Sequence, residues 1–549
     1  MQLGFDRFRF TNPAFALIAA AFLSAGPVRA DEFEAFTWAR QHPPSTEHVS
    51  PLIQVDPWAD LQDVAARLKA LPAGKRFVIF QWIADDLADH PQDRVIQRSW
   101  EFKVRQAPAP MSSKTASRSA ASTAQPAKST AVRGALVTAS NGRAPGSAAP
   151  STVSSTTTET LTVTERVPVD RLTAFRGPWM DNGILTVRAR VQAVMSRLKS
   201  LGAPVDGIAI DNETTLHAAC FLGRDGSLAA IEADPRWPAL AQSMGLPLTV
   251  SGMTWGSDLY FQWTERMAGR FDAAMNQAVF QTIRAIYPAA VVSNYCTGRL
   301  LPKFASPDIN GHFDRRQTSG FGTHDNFEFY GWLAHWRIEK TRGSAPVDSA
   351  WLAFRVEMHK IRGMNASSQR PKHAWIAQRS WQGEWWGPVA FDSDPLWDET
   401  VLQLGMHGVR QFFELSMEDF STTREANLER RTIDRAALNS LLAELNARVS
   451  GSSAGVLTAA QPSWNDQVLA TGRRIGDRVV WRFSFAPGLD AVRVRLSDGS
   501  EATVVAEEGR RGAWFEHSAD VQLQLDPTGR MPVVERVELV GHGGDGGAG

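Results

Sequence analysis

The segment Asp206-Gly207-Ile208-Ala209-Ile210-Asp211-Asn212-Glu213 has the pattern of a buried strand that ends in two carboxylates. Because side chains alternate along a strand, its two isoleucines share one face, while Ala209, Asp211 and Glu213 share the other. In a (β/α)₈ barrel, acidic side chains at the carboxyl end of a strand lie where the chemistry takes place. This segment therefore predicts both an architecture and the position of a site.

The rest of the chain predicts an α/β fold, because apolar runs typical of strands alternate with stretches of helical spacing. The strand candidates are 77–82, 161–169, 207–211, 246–251, 290–294, 374–378 and 409–415, and the clearest helices are 61–71, 184–201, 258–286, 350–363 and 425–449. Seven strands are one short of a (β/α)₈ barrel, which we favour, and a doubly wound open sheet is the alternative. No Gly-x-Gly-x-x-Gly motif or P-loop follows any of these seven strands, so nothing in the α/β part indicates a nucleotide.

Composition divides the 549 residues into successive regions. We predict a signal peptide (1–30), the first part of the barrel (31–105), a disordered insertion rich in Ala, Ser, Thr and Pro (106–158), the rest of the barrel (159–450), an antiparallel β-sandwich (451–540) and a disordered tail (541–549). The insertion could instead be a linker after a small separate domain. One strand with few helices makes a poor independent core, which favours the insertion.

The first 30 residues resemble a secretory signal. Arg7 and Arg9 precede an apolar run over 14–25, and Val28-Arg29-Ala30 resembles the small-residue motif at which a signal peptide is cleaved. An uncleaved membrane anchor is the alternative, although the run is short of the roughly 20 residues that span a bilayer. We therefore expect a periplasmic or secreted protein with no membrane span after cleavage.

Charge and cysteine usage exclude several classes of protein. The 58 basic and 58 acidic residues balance, so nothing favours nucleic acid as a partner. The two cysteines, Cys220 and Cys296, each follow a predicted strand, and whether they form a disulfide stays open. Neither has the spacing of a zinc site, and His-Glu-x-x-His is absent, so we expect no metal and no organic cofactor.

The segment 206–213 also resembles the D-G-x-D-x-D-x-E signature of the family 18 glycoside hydrolases, the chitinase-like enzymes. Asp206, Gly207, Asp211 and Glu213 match, and Ala209 replaces the middle aspartate. The resemblance implies a barrel glycosidase in which Glu213 is the general acid and Asp211 orients the N-acetyl group of the substrate. It also implies a tyrosine that holds this group, and Tyr295, after the strand 290–294, is the candidate.

Glycoside hydrolysis usually requires two carboxyl groups around the scissile bond. We assign Glu213 as the acid, because repulsion from Asp211 would raise its pKa and keep it protonated. Asp211 would stabilise the positive charge that develops on the sugar. Glu414, at the end of the strand 409–415, is the alternative partner. Two residues of a glycine-rich loop, His324 and Asp325, are further candidates.

Tryptophan provides a second signal, because indole faces match the apolar faces of sugar rings. Eight of the 19 tryptophans lie within one region: Trp332, Trp336, Trp351, Trp375, Trp381, Trp385, Trp386 and Trp397. We expect two of them, Trp351 and Trp375, to fill the core. Three others have Gly, Gln and Glu neighbours, and we expect them to lie in a rim loop and stack on substrate: Trp381, Trp385 and Trp386.

Two loop carboxylates complete the candidate substrate-binding set. Glu384 lies between the tryptophans of the rim loop, and Asp85 follows the strand 77–82. Together these features predict a secreted glycoside hydrolase that acts on a poly- or oligosaccharide by acid/base catalysis. The alternatives are an inactive glycan-binding barrel, which Ala209 would fit, and an envelope scaffold or polysaccharide-assembly protein. A peptidase or esterase is disfavoured, because no Gly-x-Ser-x-Gly elbow appears on a strand-to-helix turn.

Overall fold

A computed structural model gives the architecture of the chain. It describes residues 32–38, 45–55, 59–80, 94–105, 156–167, 179–211, 227–254, 257–295, 322–330, 349–377, 395–415, 424–451, 456–459 and 467–524. The fold over these residues is mixed α/β, with parallel sheets in the first part and antiparallel sheets in the last.

Two parallel sheets form the first part. One has the order β2-β1-β11-β10-β9 and the other β3-β4-β7-β8. Their strands are β1 (Glu34–Trp38), β2 (Val49–Pro51), β3 (Ile53–Val55), β4 (Phe77–Phe80), β7 (Gly207–Asp211), β8 (Val291–Tyr295), β9 (Asp325–Phe329), β10 (Lys372–Ile376) and β11 (Val409–Leu415). Every ladder within these two sheets is parallel.

The two sheets adjoin at both of their ends. At one end only Leu52 separates β2 from β3, so the same stretch of chain passes from one sheet to the other. At the other end, side chains connect β8 with β9. The Thr323 hydroxyl accepts from the amide of Val292 at 2.9 Å, and the Asn326 amide donates to the Ser293 hydroxyl at 3.0 Å. With the backbone bond from the Thr323 amide to the Val292 carbonyl at 2.7 Å, they connect the two strands without a continuous ladder.

Helices cover the sheets between successive strands. They are α1 (Leu61–Ala70), α2 (Asp181–Ser200), α3 (Ser227–Ala233), α4 (Trp237–Met244), α5 (Asp258–Met275), α6 (Gln281–Ile286), α7 (Ser349–Ser367), α8 (Pro395–Met406) and α9 (Arg424–Val449). A π-helical turn, Asn276–Phe280, joins α5 to α6. The helices predicted from periodicity at 61–71, 184–201, 258–286, 350–363 and 425–449 are thus confirmed.

Aromatic rings pack between the two sheets. Phe36 on β1 lies 4.0 Å from Phe77 on β4, centroid to centroid, and 5.7 Å from Phe413 on β11. These three rings define what we call the inner face of the sheets. The opposite face packs on the helices: Ile208 and Ile210, for example, belong to a core cluster with apolar residues of α1 and α2.

Gly207 begins β7 on the inner face, where it leaves room for a neighbouring ring. A Cβ atom at this position would lie 2.0 Å from the ring of Phe77. We expect Gly207→Ala to reduce the free energy of unfolding by about 1–3 kcal/mol through overpacking. Gly252→Ala is the matched control, since nothing lies within 4 Å of a Cβ there. Urea unfolding of both variants checks this, and equal effects would contradict the packing account.

A two-stranded antiparallel ribbon interrupts the α/β alternation. It consists of β5 (Arg94–Arg105) and β6 (Thr156–Val167), and it precedes α2. The predicted barrel strand 161–169 is therefore wrong in its pairing: the segment is a strand, but it joins no parallel sheet. Between the two ribbon strands lie residues 106–155, outside the described part, so the predicted disordered insertion stays a prediction.

Other strand predictions also need correction. Residues 246–251 form an irregular stretch after α4 rather than a strand, and the Glu232 carboxylate accepts from the amides of Val250 and Ser251. Sequence analysis also missed β1, the β2–β3 stretch and β9. The strands predicted at 77–82, 207–211, 290–294, 374–378 and 409–415 are confirmed, within a few residues at their ends.

The last part of the described chain is antiparallel. A four-stranded sheet has the order β12-β13-β14-β17 and shares a core with the hairpin β15–β16. These strands are β12 (Val456–Ala459), β13 (Val468–Ile475), β14 (Arg478–Phe485), β15 (Ala491–Arg495), β16 (Glu501–Val505) and β17 (Gly512–Ser518). Antiparallel strands are thus present in the region where the sequence predicts them, and residues 525–540 of that region lie outside the described residues.

A buried ion pair joins this part to the helices. Arg482 on β14 donates to Glu399 on α8 at 3.0 Å, and neither side chain is exposed to solvent. The Ser484 hydroxyl donates to the same carboxylate at 2.7 Å, and the Gln403 amide donates to the carbonyl of Arg482 at 3.1 Å. The antiparallel sheet is therefore fixed to α8 by charge as well as by packing. None of the described helices is long and apolar enough to cross a membrane.

Candidate functional site

The candidate site lies at the carboxyl edge of the parallel strands. Asp211 is the last residue of β7, and its register partner on the neighbouring strand is Tyr295, the last residue of β8. Asp206, just before β7, lies at the opposite edge, where its carboxylate accepts from the amides of Gly74 at 2.7 Å and Arg76 at 3.1 Å. The two aspartates of the segment 206–213 thus occupy different ends of the strand, and Asp206 serves the turn before β4.

Most of the other predicted site residues lie outside the described part of the chain. These are Glu213, Trp381, Glu384, Trp385, Trp386 and Asp85. Their roles stay predictions, as do those of Asp211 and Tyr295, for which the structure gives the backbone position. Cys220 and Cys296 are also outside, so their pairing stays open.

Glu414 lies on the helix side of β11, away from the inner face. Its carboxylate accepts from the Thr37 hydroxyl of β1 at 2.8 Å and is 3 % exposed. Three charged side chains of α9 act on it: Asp434, Arg435 and Arg431. Phe413, the residue before it, is on the inner face. The structure therefore does not bring Glu414 together with the end of β7, and this placement favours a structural role over the predicted catalytic one.

Burial makes Glu414 a pH-dependent contributor to stability. Desolvation raises its pKa from the ordinary 4.5 to about 7, against the hydrogen bond from Thr37, which lowers it. The folded state therefore favours the protonated carboxyl, and this stabilisation is complete below pH 4.5 and lost as the pH rises through 7.

Glu414→Gln tests this behaviour, because glutamine stays neutral and still accepts from Thr37. We expect the free energy of unfolding of the variant to rise relative to wild type by on the order of 3 kcal/mol between pH 4.5 and 7.5. Urea unfolding at pH 5, 6, 7 and 8 measures the difference. A constant difference across this range would show that the carboxyl does not titrate between the two pKa values.

His324 and Asp325 lie at the amino end of β9, opposite the candidate site. Asp325 is buried and forms ion pairs with Arg370 and, at 3.4 Å, with Lys372. His324 stacks on His373 at 4.3 Å, and burial lowers its pKa to about 4. In (β/α)₈ barrels, residues at the amino ends of the strands contribute to stability, and the catalytic residues lie at the carboxyl ends. Their surroundings therefore favour a structural role for both residues.

Sequence analysis missed a carboxylate at the carboxyl edge, Glu328 on β9. Its register partner on β10 is Trp375, and two residues earlier Asn326 pairs with His373. Trp375 and His373 both contact Phe413 on the inner face, at centroid distances of 5.3 and 5.0 Å. Glu328 is 5 % exposed. The signal in the sequence is the alternation of polar and aromatic residues over Asn326-Phe327-Glu328-Phe329.

Aromatic and amide side chains border the same edge. Trp38, the last residue of β1, donates from its indole N–H to the Gln54 amide oxygen of β3 at 3.3 Å and lies 6.0 Å from Trp375. Trp351 and Trp375 are 5 % and 1 % exposed, which confirms the prediction that both fill the core. Within the described residues, no group of three or more His, Cys, Asp or Glu side chains is placed to hold a metal ion.

Comparison with known proteins gives distant structural similarity. No protein-family model matches the chain, and no curated protein is similar to it, so the family 18 resemblance of residues 206–213 gains no support. Among solved structures, AmyP in complex with maltose is 8 % identical, with 64 % of this chain and 68 % of that chain covered and a TM-score of 0.31.

Two further solved structures are enzymes that act on saccharides. For the cyclic α-maltosyl-(1→6)-maltose hydrolase from Arthrobacter globiformis, identity is 10 %, coverage is 62 % of this chain and 80 % of that chain, and the TM-score is 0.25. For the family 30 subfamily 8 xylanase from Clostridium acetobutylicum, identity is 10 %, coverage is 62 % and 71 %, and the TM-score is 0.21. Similarity at this level carries no argument about the function of this chain.

Proposed function

We propose that the two parallel sheets form one closed (β/α)₈ barrel and that the protein is a glycoside hydrolase with its site at the carboxyl edge. The barrel is supported by the short passage at Leu52, by the bonds of Thr323 and Asn326 between β8 and β9, and by the rings packed between the sheets. Counting β2 and β3 as one strand then gives eight strands in the ring.

The observation that carries the function is the end of β7. The chain leaves this strand at Asp211, beside Tyr295 at the end of β8, and reaches Glu213 two residues later. In a (β/α)₈ barrel this edge is where catalytic side chains gather. Glu213 would donate a proton to the leaving oxygen, and the charge of Asp211 would hold its pKa high enough to keep that proton at neutral pH.

The substrate would be a poly- or oligosaccharide. Trp381, Trp385 and Trp386, with Glu384 between them, come within 10 residues after the carboxyl end of β10 in the sequence, which supports a place for them near this edge. Indole rings there would stack on successive sugars, and Asp85, after β4, would bind hydroxyl groups. The amino-terminal segment would direct the protein to the periplasm or out of the cell.

A barrel that binds glycan without cleaving it is the second candidate, since Ala209 stands where the family 18 signature has an aspartate. The test is release of new reducing ends from a panel of polysaccharides with and without N-acetyl groups. We expect the wild type to cleave at least one polymer. Tight binding with no product across the panel would establish the inactive glycan-binding protein, and neither binding nor product would favour the envelope scaffold.

A further inference from the structure

We infer that Glu328 is the second catalytic carboxylate, the base that activates water against the sugar. This inference rests on the proposed function and replaces the role that sequence analysis gave to Glu414. It departs from the family 18 resemblance, in which the N-acetyl group of the substrate does this work, and so it requires no N-acetyl group.

The face of β9 on which Glu328 lies follows from its neighbours. Phe329 lies on the helix side, with the Lys360 ammonium of α7 5.2 Å from its ring centre. Asn326 lies on the other side, where its amide reaches Ser293. Because side chains alternate along a strand, Glu328 shares the face of Asn326. This is the inner face, as the pairing of β9 with His373 and Trp375 on β10 also requires.

Along the strand direction, Glu328 lies at the same level as the candidate site. It is the penultimate residue of β9, and Asp211 and Tyr295 are the last residues of β7 and β8. Glu414 is the penultimate residue of β11, two strands away from β9, but its side chain is on the helix side. Among the described strand residues of the two parallel sheets, Glu328 is the glutamate that combines the inner face with the carboxyl edge.

The spacing between β7 and β9 fits a water-activating pair. β8 pairs with β7, and just before β9 the Thr323 amide donates to the Val292 carbonyl of β8 at 2.7 Å, so β9 follows β8 directly. With about 4.8 Å between neighbouring strands, the backbones of β7 and β9 are on the order of 10 Å apart. Inverting glycosidases hold their carboxyl groups about 6.5–9.5 Å apart, which leaves room for a water molecule beside the sugar. Glu328 on the inner face of β9 and a carboxyl group that follows β7 in the sequence are compatible with this separation.

The step proceeds by single displacement. A water oxygen forms a bond to the anomeric carbon on the face opposite the leaving group, and the proton of that water passes to the Glu328 carboxylate. The glycosidic C–O bond breaks, and its electron pair goes to the leaving oxygen, which takes the proton of Glu213. The product sugar has the inverted anomeric configuration, and proton exchange with solvent restores both carboxyl groups.

The test uses the full-length protein and the polymer that the wild type cleaves. We expect Glu328→Gln to lower kcat by about 10²–10⁴-fold with little change in KM, and to remove the acidic limb of the pH profile of kcat/KM. Glu357→Gln is the matched control. Glu357 on α7 is 4 % exposed and pairs with Lys360 at 3.3 Å, so it is equally buried but faces the helix layer. We expect it to keep kcat within about threefold.

A second variant and a second readout distinguish loss of the catalytic carboxylate from misfolding. Glu328→Asp keeps the charge and should retain the acidic limb at reduced kcat, and proton NMR of fresh product should show inversion. A kcat above one tenth of wild type in Glu328→Gln, an unchanged acidic limb, or a retained anomer would overturn the inference. If the wild type and Glu328→Gln cleave while Glu213→Gln does not, only this inference fails. If the wild type cleaves nothing, the proposed function fails with it.

Discussion

Glu213→Gln is expected to reduce kcat for glycan hydrolysis by about 10²–10⁴-fold while leaving the fold intact. Glutamine has the shape of the carboxyl group but no proton of suitable pKa to give to the leaving oxygen. Substrates with a good leaving group, such as a nitrophenyl glycoside, should recover much of the lost rate, because their leaving oxygen needs no acid. Initial rates on the polymer and on the aryl glycoside measure the two effects.

The matched control for this prediction lies at the other end of the same strand. Asp206 accepts from the amides of Gly74 and Arg76, so Asp206→Asn should reduce stability but hold kcat within a few-fold of wild type. Full activity of Glu213→Gln on the polymer would show that the acid lies elsewhere. Equal losses in the two variants would show that the strand, rather than the carboxyl group, had been damaged.

Arg482→Ala is expected to lower the free energy of unfolding by about 3–5 kcal/mol, the largest effect on stability that we predict. The substitution leaves the Glu399 carboxylate buried without its counter-charge, and the Ser484 hydroxyl alone cannot replace the guanidinium. Glu507 would lose a partner as well, since Arg482 donates to it at 3.1 Å. Urea unfolding followed by tryptophan fluorescence measures the loss.

A surface ion pair of the same antiparallel region provides the control. Arg495 on β15 donates to Glu501 on β16 at 2.7 Å, but both side chains are exposed by more than a third. Arg495→Ala should therefore cost less than about 1 kcal/mol. A similarly small loss for Arg482→Ala would mean that the antiparallel sheet is not held to α8 by this ion pair.

The sequence predicts strands well where they are short, apolar runs that contain isoleucine or valine. The strands 77–80 and 207–211 have such runs, because both faces of a parallel strand are covered. The ribbon strand Thr156–Val167 alternates threonine with other residues, which is the pattern of half-exposed antiparallel strands. The pattern alone does not identify β5 as the strand with which it pairs, so the sequence predicts a barrel strand instead. Residues 246–251 are apolar, yet Leu248 is 59 % exposed and the amides after it bond to Glu232.

The site was less predictable for a related reason. β9 has two acidic residues in five, and strand propensity disfavours such a run, so the sequence does not predict a strand that contains Glu328. Glu414 is the penultimate residue of a clear strand, and a difference of one residue in position is enough to put its side chain on the helix side. Which face a strand presents depends on its pairing with distant strands, and the sequence pattern of a fully buried strand does not reveal it.

The most direct test of the central claim is digestion of the preferred polymer in H₂¹⁸O by wild type and Glu213→Gln, with the products analysed by mass spectrometry. Hydrolysis at this site predicts one ¹⁸O atom at each new reducing end with the wild type, and almost no product with the variant. Products from the variant at the wild-type rate would contradict the assignment of the acid. Absence of product from the wild type on every polysaccharide would contradict the glycoside hydrolase itself.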